Sequence, residues 1–303
     1  MGGLLSIFMW VAPLRHALQK QARRVMIKRA EAALGSSSTA KYTGLGQDFW
    51  DSQRREVEDS SLVYPSYYTR EYHGYPDGNL CWNAAYEAEV MSKVASMKAE
   101  PNCPPNEAEK ILRDKYMTAI RNAIDLGSVT PTTKVLDMAC GIGNSTYSLA
   151  NEFPDAEVYG LDLSPYFLSI AKYRSKENEK YSKITWTHAA AENTPWEENS
   201  FDFISLVGTT HEIPASVMPT LLQEIYRLLK AGGNVAIIDV DAENIKKMPG
   251  FIYALFKSTE PDMDDFLTLN LPKSLSATGF TNIKEDKTSI NRRVLTVATK
   301  PAQ

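Results

Sequence analysis

The sequence predicts an α/β domain built on a mostly parallel sheet, and three observations carry that expectation. The run Val135–Asn144 reads as a short apolar strand entering a tight glycine turn, with a helix opening at about Asn144-Ser145. A second strand, Ala156–Leu161, ends at Asp162, nineteen residues after Gly143. From Lys134 onward strand-like and helix-like segments alternate, the pattern of a parallel sheet covered by helices on both faces.

Residues 1–40 read as a basic segment and linker. Gly2–Leu14 is mostly apolar, then Arg15, Lys20, Arg23, Arg24, Lys28 and Arg29 follow, with no acid before Glu31. The apolar run is too short to span a bilayer. An apolar stretch joined to a basic helix suits peripheral contact with an anionic membrane surface through residues 1–30. The same composition suits an organelle transit peptide, mitochondrial or plastid. Either reading places the chain inside the cell, at the cytoplasmic face of a membrane or in an organelle. Met1–Ser6 also fits the loose myristoylation pattern. Gly35–Thr39 reads as a flexible linker.

Residues 41–105 form an N-terminal cap region. Five tyrosines fall in the twelve residues Tyr64–Tyr75, against 15 in the 303-residue chain. Tyrosine offers a flat apolar body with a polar tip, suited to a pocket for an organic molecule, and Tyr67 and Tyr68 are the candidates. The competing reading is a loop held to the surface by aromatic packing. Pro76-Asp77-Gly78-Asn79 is a turn, and Leu80–Met97 has the spacing of an amphipathic helix.

The main domain covers residues 106–303. Asn106 is a good N-cap, and Ile111, Leu112, Tyr116, Met117, Ile120 and Ile124 recur at helical spacing, with Gly127 as the expected C′ residue. Strands are expected at Lys134–Met138, Glu157–Leu161, Lys183–His188, Phe201–Val207 and Asn234–Val240, with helices at Ser145–Glu152, Pro165–Asn178 and Ser216–Leu229 between them. Two late strands, Ile283–Asp286 and Arg292–Thr299, have no long helix between them. Asp262 or Asp264 reads as the cap of a solvated helix start.

Glycines belong where the backbone needs positive φ or must lie against a ligand. Amides at the start of the next helix offer donors to it, and an acid after the second strand can accept bonds from two ribose hydroxyls. A nucleoside cofactor is the first functional inference. Position 146, where a dinucleotide fingerprint has its third glycine, is Thr146, which disfavours a pyrophosphate.

Three later motifs narrow the class. After the turn Asp137–Gly143 come, in order, Ala189–Trp196, then Ser200–Val207, then Leu228–Gly233 leading into a strand. In order and spacing this series resembles the class I S-adenosylmethionine-dependent methyltransferases, in particular the small-molecule branch containing the ubiquinone and menaquinone enzymes. The resemblance covers roughly residues 107–300. It implies a Rossmann-like fold: a seven-stranded, mostly parallel sheet with an antiparallel closing hairpin, helices on both faces, and a helical, aromatic N-terminal cap over the cleft. The cofactor implied is S-adenosyl-L-methionine, and the partner a small-molecule methyl acceptor.

The resemblance also implies a residue set. Gly141 and Gly143 would let the backbone approach the cofactor's amino-acid moiety, and Asp137 would orient that turn or the ammonium group. Asp162 would take the ribose hydroxyls, Ala191 and Glu192 would border the adenine, and Ala139, Leu163 and Val207 complete the cofactor set. Relatives commonly carry Gly-Asp before that Ala-Glu; this chain has Ala189-Ala190, so the adenine contact is lost or falls to a neighbour such as Glu192.

Acceptor-side candidates are Thr209, Thr210, His211 and Glu212, just past the fourth strand, with Tyr67, Tyr68 and His73 from the cap. His211 is the candidate base, its ordinary pKa of about 6.5 suiting that task. The alternative is a loop histidine fixed to the turn at Pro214. Cys140 reads as a small packing residue, and Asp239 and Asp241 as polar loop positions; no metal site is expected. A net charge of −4 argues against a nucleic-acid surface. The rival function is a catalytically silent cofactor-binding or membrane-tethered interaction protein. The sequence leaves the acceptor, the atom methylated and the oligomeric state open.

Overall fold

The computed structural model describes residues 12–125, 127 and 129–302. Helix α1 (Ala12–Leu34) leads into α2 (Ser38–Thr43), α3 (Gln47–Arg55), α4 (Trp82–Ala99) and α5 (Ala108–Ala123). The sheet region comprises β1 (Lys134–Met138), α6 (Asn144–Glu152), β2 (Glu157–Asp162), α7 (Pro165–Lys176), β3 (Thr185–His188), β4 (Phe201–Val207), α8 (Met218–Leu228) and β5 (Leu229–Val240). Then come α9 (Ala242–Lys246), α10 (Gly250–Lys257), α11 (Met263–Thr268), α12 (Leu271–Thr278), β6 (Thr281–Asp286) and β7 (Arg293–Thr299).

The seven strands lie in the order β3-β2-β1-β4-β5-β7-β6. All neighbours through β5 are parallel, and β7 pairs antiparallel with both β5 and β6. The fold class expected from the sequence, including the closing hairpin, is the one observed. Side chains alternate across a strand, and here both faces are covered. Val135, Phe203, Ala236 and Val297 meet α5 and α6 on one face; Leu136, Ile204, Val235 and Ile237 meet α8 and α12 on the other. The order reverses between β1 and β4, so a crevice opens beyond their carboxyl ends.

Local chemistry explains where several elements depart from expectation. Helix α5 ends at Ala123, with Ile124 already extended, and Gly127 instead donates its N–H to Asp125 Oδ1 at 2.9 Å. Asn106 is not its cap; Glu107 is. The linker expected at Gly35–Thr39 is partly helix, because Ser37 accepts the Ala40 N–H and starts α2. Asp262 does not cap α11 through its side chain; it pairs with Arg70 from the cap.

The cap is held by its own aromatic core. Tyr42 and Trp50 are fully buried among Ala85, Tyr86 and Ile170, and Trp50 Nε1–H donates to Tyr42 O at 2.7 Å. Of the expected apolar run Gly2–Leu14, residues 2–11 lie outside the described residues, as does the motif Met1–Ser6. Helix α1 is tied to the body. Ile27 and Ala30 pack on Val90 and Val94, and Arg23 bonds Glu87 (2.8 Å) and Gly74 O (2.9 Å).

Candidate functional site

Beyond β1, β2 and β4 lies a cavity of about 240 Å³, roofed by the cap. Ala139, Gly141, Asp162, Leu163, Ala191, Glu192, Val207, Tyr67, Tyr68 and His73, all candidates from the sequence, line it together. Asp137, Gly143, Thr210 and His211 are not among its lining residues.

Asp162 ends β2, and its carboxylate locks two turns. Oδ2 accepts the Gly141 N–H at 2.7 Å and Oδ1 accepts the Ser164 N–H at 2.8 Å. Each oxygen keeps a further lone pair for a ligand hydroxyl. Burial pushes the carboxyl up to about 6 against those two bonds. Ser164 Oγ in turn donates to Asn79 O at 2.7 Å, so the same turn anchors the cap.

The glycine turn divides its labour. Gly141, at φ +55°, would meet nothing within 4 Å if it carried a Cβ, so it leaves open space beside the cavity. Gly143 serves packing, which corrects its expected role: at φ +85°, a Cβ there would fall 2.6 Å from the Trp186 ring. Asp137 also resolves one way. It is fully buried and accepts hydroxyls of Ser145 (2.7 Å), Thr146 (2.6 Å) and Ser205 (2.8 Å), so it orients the turn and does not reach into the cavity. Thr146 thus has a positive function where a dinucleotide site would carry glycine. Cys140 is buried and its thiol is raised by that burial, as befits a packing residue.

On the helical side, three residues not foreseen from the sequence line the cavity: Ser92 on α4, Arg113 on α5 and Asn144 at the start of α6. Asn144 Nδ2–H donates to Ser92 Oγ and to Glu109 Oε1, both at 3.0 Å. Arg113 Nε is buried with no hydrogen-bond partner among the described residues. A buried cationic donor left in this state costs stability unless a ligand completes it. The one sequence signal for it is Glu109 and Arg113 at i,i+4 on one face of an otherwise core-facing helix.

At the opposite end, Tyr67 donates its hydroxyl to Glu192 Oε1 at 2.8 Å. Burial and the Glu192 charge together raise the Tyr67 phenol, so it stays a donor. His188, at the end of β3, accepts the Asp59 N–H on Nδ1 (3.0 Å) and contacts Leu163 O through Nε2 (3.1 Å), tying the cap to β2.

Past β4, the 3-10 turn Thr210–Glu212 splits its residues between two sides. Glu212 lines the cavity with Gly208 and Thr209. Thr210 and His211 turn away onto Asp239: Thr210 Oγ1–H donates to Oδ2 at 2.5 Å and His211 Nδ1 lies 2.7 Å from Oδ1. Burial pulls the His211 imidazole down, but Asp239 more than reverses this and holds it at about 9. His211 does not itself line the cavity; its Nε2 lies 3.9 Å from Glu212 Oε1, so Glu212 stands between the imidazole and a bound acceptor. The structure places His211 against β5 rather than on the cavity wall, so the alternative of a histidine fixed by its own turn takes the form of anchorage to Asp239.

His73 sits at φ +51° in the cap, its N–H bonded to Thr259 O at 2.8 Å. Nε2 lies 3.0 Å from Glu260 and 3.4 Å from Glu212. Desolvation lowers His73, yet these two carboxylates carry it up to about 10.

Comparison with known proteins agrees with this geometry. Residues 135–233 match the family model described as a methyltransferase domain. A demethylmenaquinone methyltransferase of Anoxybacillus flavithermus is 31% identical over 135 residues, 44% of this chain and 56% of the relative. One of Listeria welshimeri is 30% identical over 147 residues, 48% and 61% of the two chains. The chain therefore spans a little over half the length of these curated relatives. Among solved structures, a candidate O-methyltransferase of Nostoc punctiforme shares the fold with TM-score 0.54, 19% identity, and coverage of 89% of this chain and 72% of that one. The Haemonchus contortus phosphoethanolamine N-methyltransferase 2, solved with S-adenosyl-L-methionine, gives TM-score 0.50 at 18% identity over 75% and 61% of the two chains. With the glycine turn, the acid ending β2 and the closing hairpin in place, residues 135–233 match a methyltransferase domain, carried on a sheet that shares its fold with these solved methyltransferases.

Proposed function

We propose that the cavity holds S-adenosyl-L-methionine and that the chain transfers its methyl group to a small-molecule acceptor. The observation that carries this reading is Asp162, a buried carboxylate on the cavity wall whose oxygens are fixed by Gly141 and Ser164 amides and keep lone pairs for a ribose diol. When bound, the cofactor supplies a sulfonium-activated methyl and departs as S-adenosylhomocysteine. The residues present fit it. Arg113 Nε, buried and without a partner among the described residues, suits the amino-acid carboxylate. Ser92 and Asn144 lie beside Gly141 at the same end, and Glu192 with Ala191 stands at the other, where the adenine would lie.

For these residues, catalysis is chiefly a matter of placement. Holding donor and acceptor in attack geometry is worth roughly 7–11 kcal/mol. Tyr67, Tyr68 and Tyr72 line the cavity from the cap, where with the cofactor bound they would shield the line of transfer from water. Calorimetric binding of S-adenosylmethionine, then mass spectrometry of cell extract incubated with the deuterated-methyl cofactor, tests this reading. Labelled products support it. Binding without any labelled product supports a silent cofactor-binding protein instead.

We also propose that the N-terminal helix rests on an anionic membrane surface from the inside of the cell or organelle. An apolar groove lined by Ala22, Val25, Met26 and Met97 carries Arg29 and Lys98 among its lining residues. Val25 is 39% exposed. Among the described residues no helix is long and apolar enough to cross a membrane. Co-sedimentation with phosphatidylserine vesicles, but not with phosphatidylcholine vesicles, is the expected result.

A further inference from the structure

The end of the cavity beyond β4 contains a cluster that cofactor binding does not use. Glu212, His73, Tyr72 and Asn79 line it, and Glu260 stands just behind His73. They come from three separate parts of the chain: the turn after β4, the cap, and the segment between α10 and α11. His73 Nε2 is shared between Glu212 Oε1 (3.4 Å) and Glu260 Oε1 (3.0 Å), while its Nδ1 lies 3.4 Å from Asn79 Oδ1. Asn79 Nδ2 reaches the other Glu212 oxygen at 3.5 Å.

We propose that Glu212 is the acceptor-binding carboxylate, positioned by His73 and Asn79, and that it selects acceptors whose methylated atom is itself an O–H or N–H donor. This rests on the reading that the cavity holds the methyl donor, and it deepens that reading by naming the acceptor class. Glu212 is the only residue of the turn Thr210–Glu212 to line the cavity, and a carboxylate only accepts hydrogen bonds. Its neighbours leave it capacity to spare: Oε2 has one long contact, to Asn79, and Oε1 has long contacts to His73 (3.4 Å) and His211 Nε2 (3.9 Å), all beyond the length of a strong hydrogen bond. An acceptor donating to Glu212 would gain a charge-assisted hydrogen bond. One carrying a carboxylate or phosphate at that end would face Glu212, with Glu260 close behind, against the imidazolium of His73 and that of His211, which is already paired with Asp239.

The same contact gives the transferred proton a destination. The acceptor oxygen or nitrogen forms the new bond to the methyl carbon. The carbon–sulfur bond breaks with its electron pair left on sulfur, and the acceptor's proton passes to Glu212. His73 is excluded from taking it because it already carries a proton between two carboxylates, so it acts as a positioning residue. Burial raises Glu212, and the His73 and His211 charges pull it back, a balance suited to a group that must gain a proton and release it.

The experiment compares wild type, Glu212→Gln, Glu212→Asp and His73→Asn in two assays. One is calorimetric affinity for S-adenosylhomocysteine; the other is methyl transfer from the deuterated-methyl donor into cell extract, read by mass spectrometry. Wild-type affinity for S-adenosylhomocysteine reports separately on the donor site. In Glu212→Gln that affinity is expected within about threefold of wild type, which also reports correct folding, while transfer falls by ~10²-fold or more. Glu212→Asp is expected to recover part of the transfer, and His73→Asn to raise KM for the labelled acceptor more than it lowers kcat. The proposal is overturned if Glu212→Gln transfers within threefold of wild type, or if the methylated products carry a carboxylate or phosphate beside the new methyl group.

Discussion

His211 Nδ1 lies 2.7 Å from Asp239 Oδ1, and this contact turns the histidine from the cavity toward β5. Asp239 also receives Thr210 Oγ1–H and the His211 N–H, at 2.5 and 3.1 Å, so one carboxylate holds the whole 3-10 turn and thereby sets where Glu212 stands.

The pair has a pH signature. His211 is held at about 9 when folded, above its ordinary value of about 6.5, so its contribution is complete below ~6.5 and is lost as pH rises through about 9. Asp239 is held at about 2, below its ordinary ~3.9, so its contribution is present above ~3.9 and lost only as pH falls through about 2. Denaturant unfolding of wild type against His211→Gln should show a gap that is constant from about pH 5 to 6.5 and closes toward about pH 9. A gap that widens with rising pH would contradict the pairing.

Removing one partner of a buried ion pair leaves the other uncompensated, at a cost of about 3–5 kcal/mol. Asp239→Asn should lose stability of that order in urea titration, whereas His211→Gln, by removing a charge that holds Glu212 down, should move the acidic limb of the pH–rate profile to higher pH without abolishing it. Loss of the profile's acidic limb in His211→Gln would restore the histidine as a base.

The two turn glycines should fail differently. Gly143→Ala puts a methyl group against Trp186 at positive φ, so it should cost stability through both strain (~1–2 kcal/mol) and overpacking (~1–3 kcal/mol). Gly141→Ala meets no atom within 4 Å, so it should show only the backbone strain in thermal melts but lose affinity for S-adenosylhomocysteine. Equal melting losses in the two variants would contradict the division.

Arg113 is expected to bind the cofactor's carboxylate rather than to stabilise the apo fold. Arg113→Met relieves an unpartnered buried Nε but gives up the guanidinium's contact over the Tyr116 ring and its charge near Asp137, so the apo melting temperature should change little. Loss of a charged hydrogen bond worth about 1.5–3 kcal/mol should weaken S-adenosylmethionine roughly 10–100-fold in calorimetry. A drop in apo stability with unchanged affinity would make it a structural residue.

How far the fold and site are legible in the sequence depends on the range of the interactions involved. Strand periodicity and the turn at Cys140–Asn144 are local, so the sheet, Gly141 and Asp162 can be read directly. The tyrosines of the cap can be placed because their density is itself a local signal. Arg113 cannot, since it lies on a helix whose core-facing pattern hides one residue aimed at the cavity. Within Thr210–Glu212 a difference of one position decides which side chain faces the ligand, and the deciding partner, Asp239, lies 28 residues from His211. Asp262 does hold the N-cap position of α11, but its carboxylate is drawn off to Arg70, 192 residues away, where no local signal could place it. Gly143 resembles a ligand position because the Trp186 ring beside it belongs to another strand.

The most direct measurement is the affinity of Asp162→Ala for S-adenosylhomocysteine, by calorimetry on protein whose melting curve confirms folding. Loss of its bonds to a ribose diol, each worth about 1.5–3 kcal/mol, should weaken binding ~10²-fold or more. Affinity equal to wild type would contradict the account.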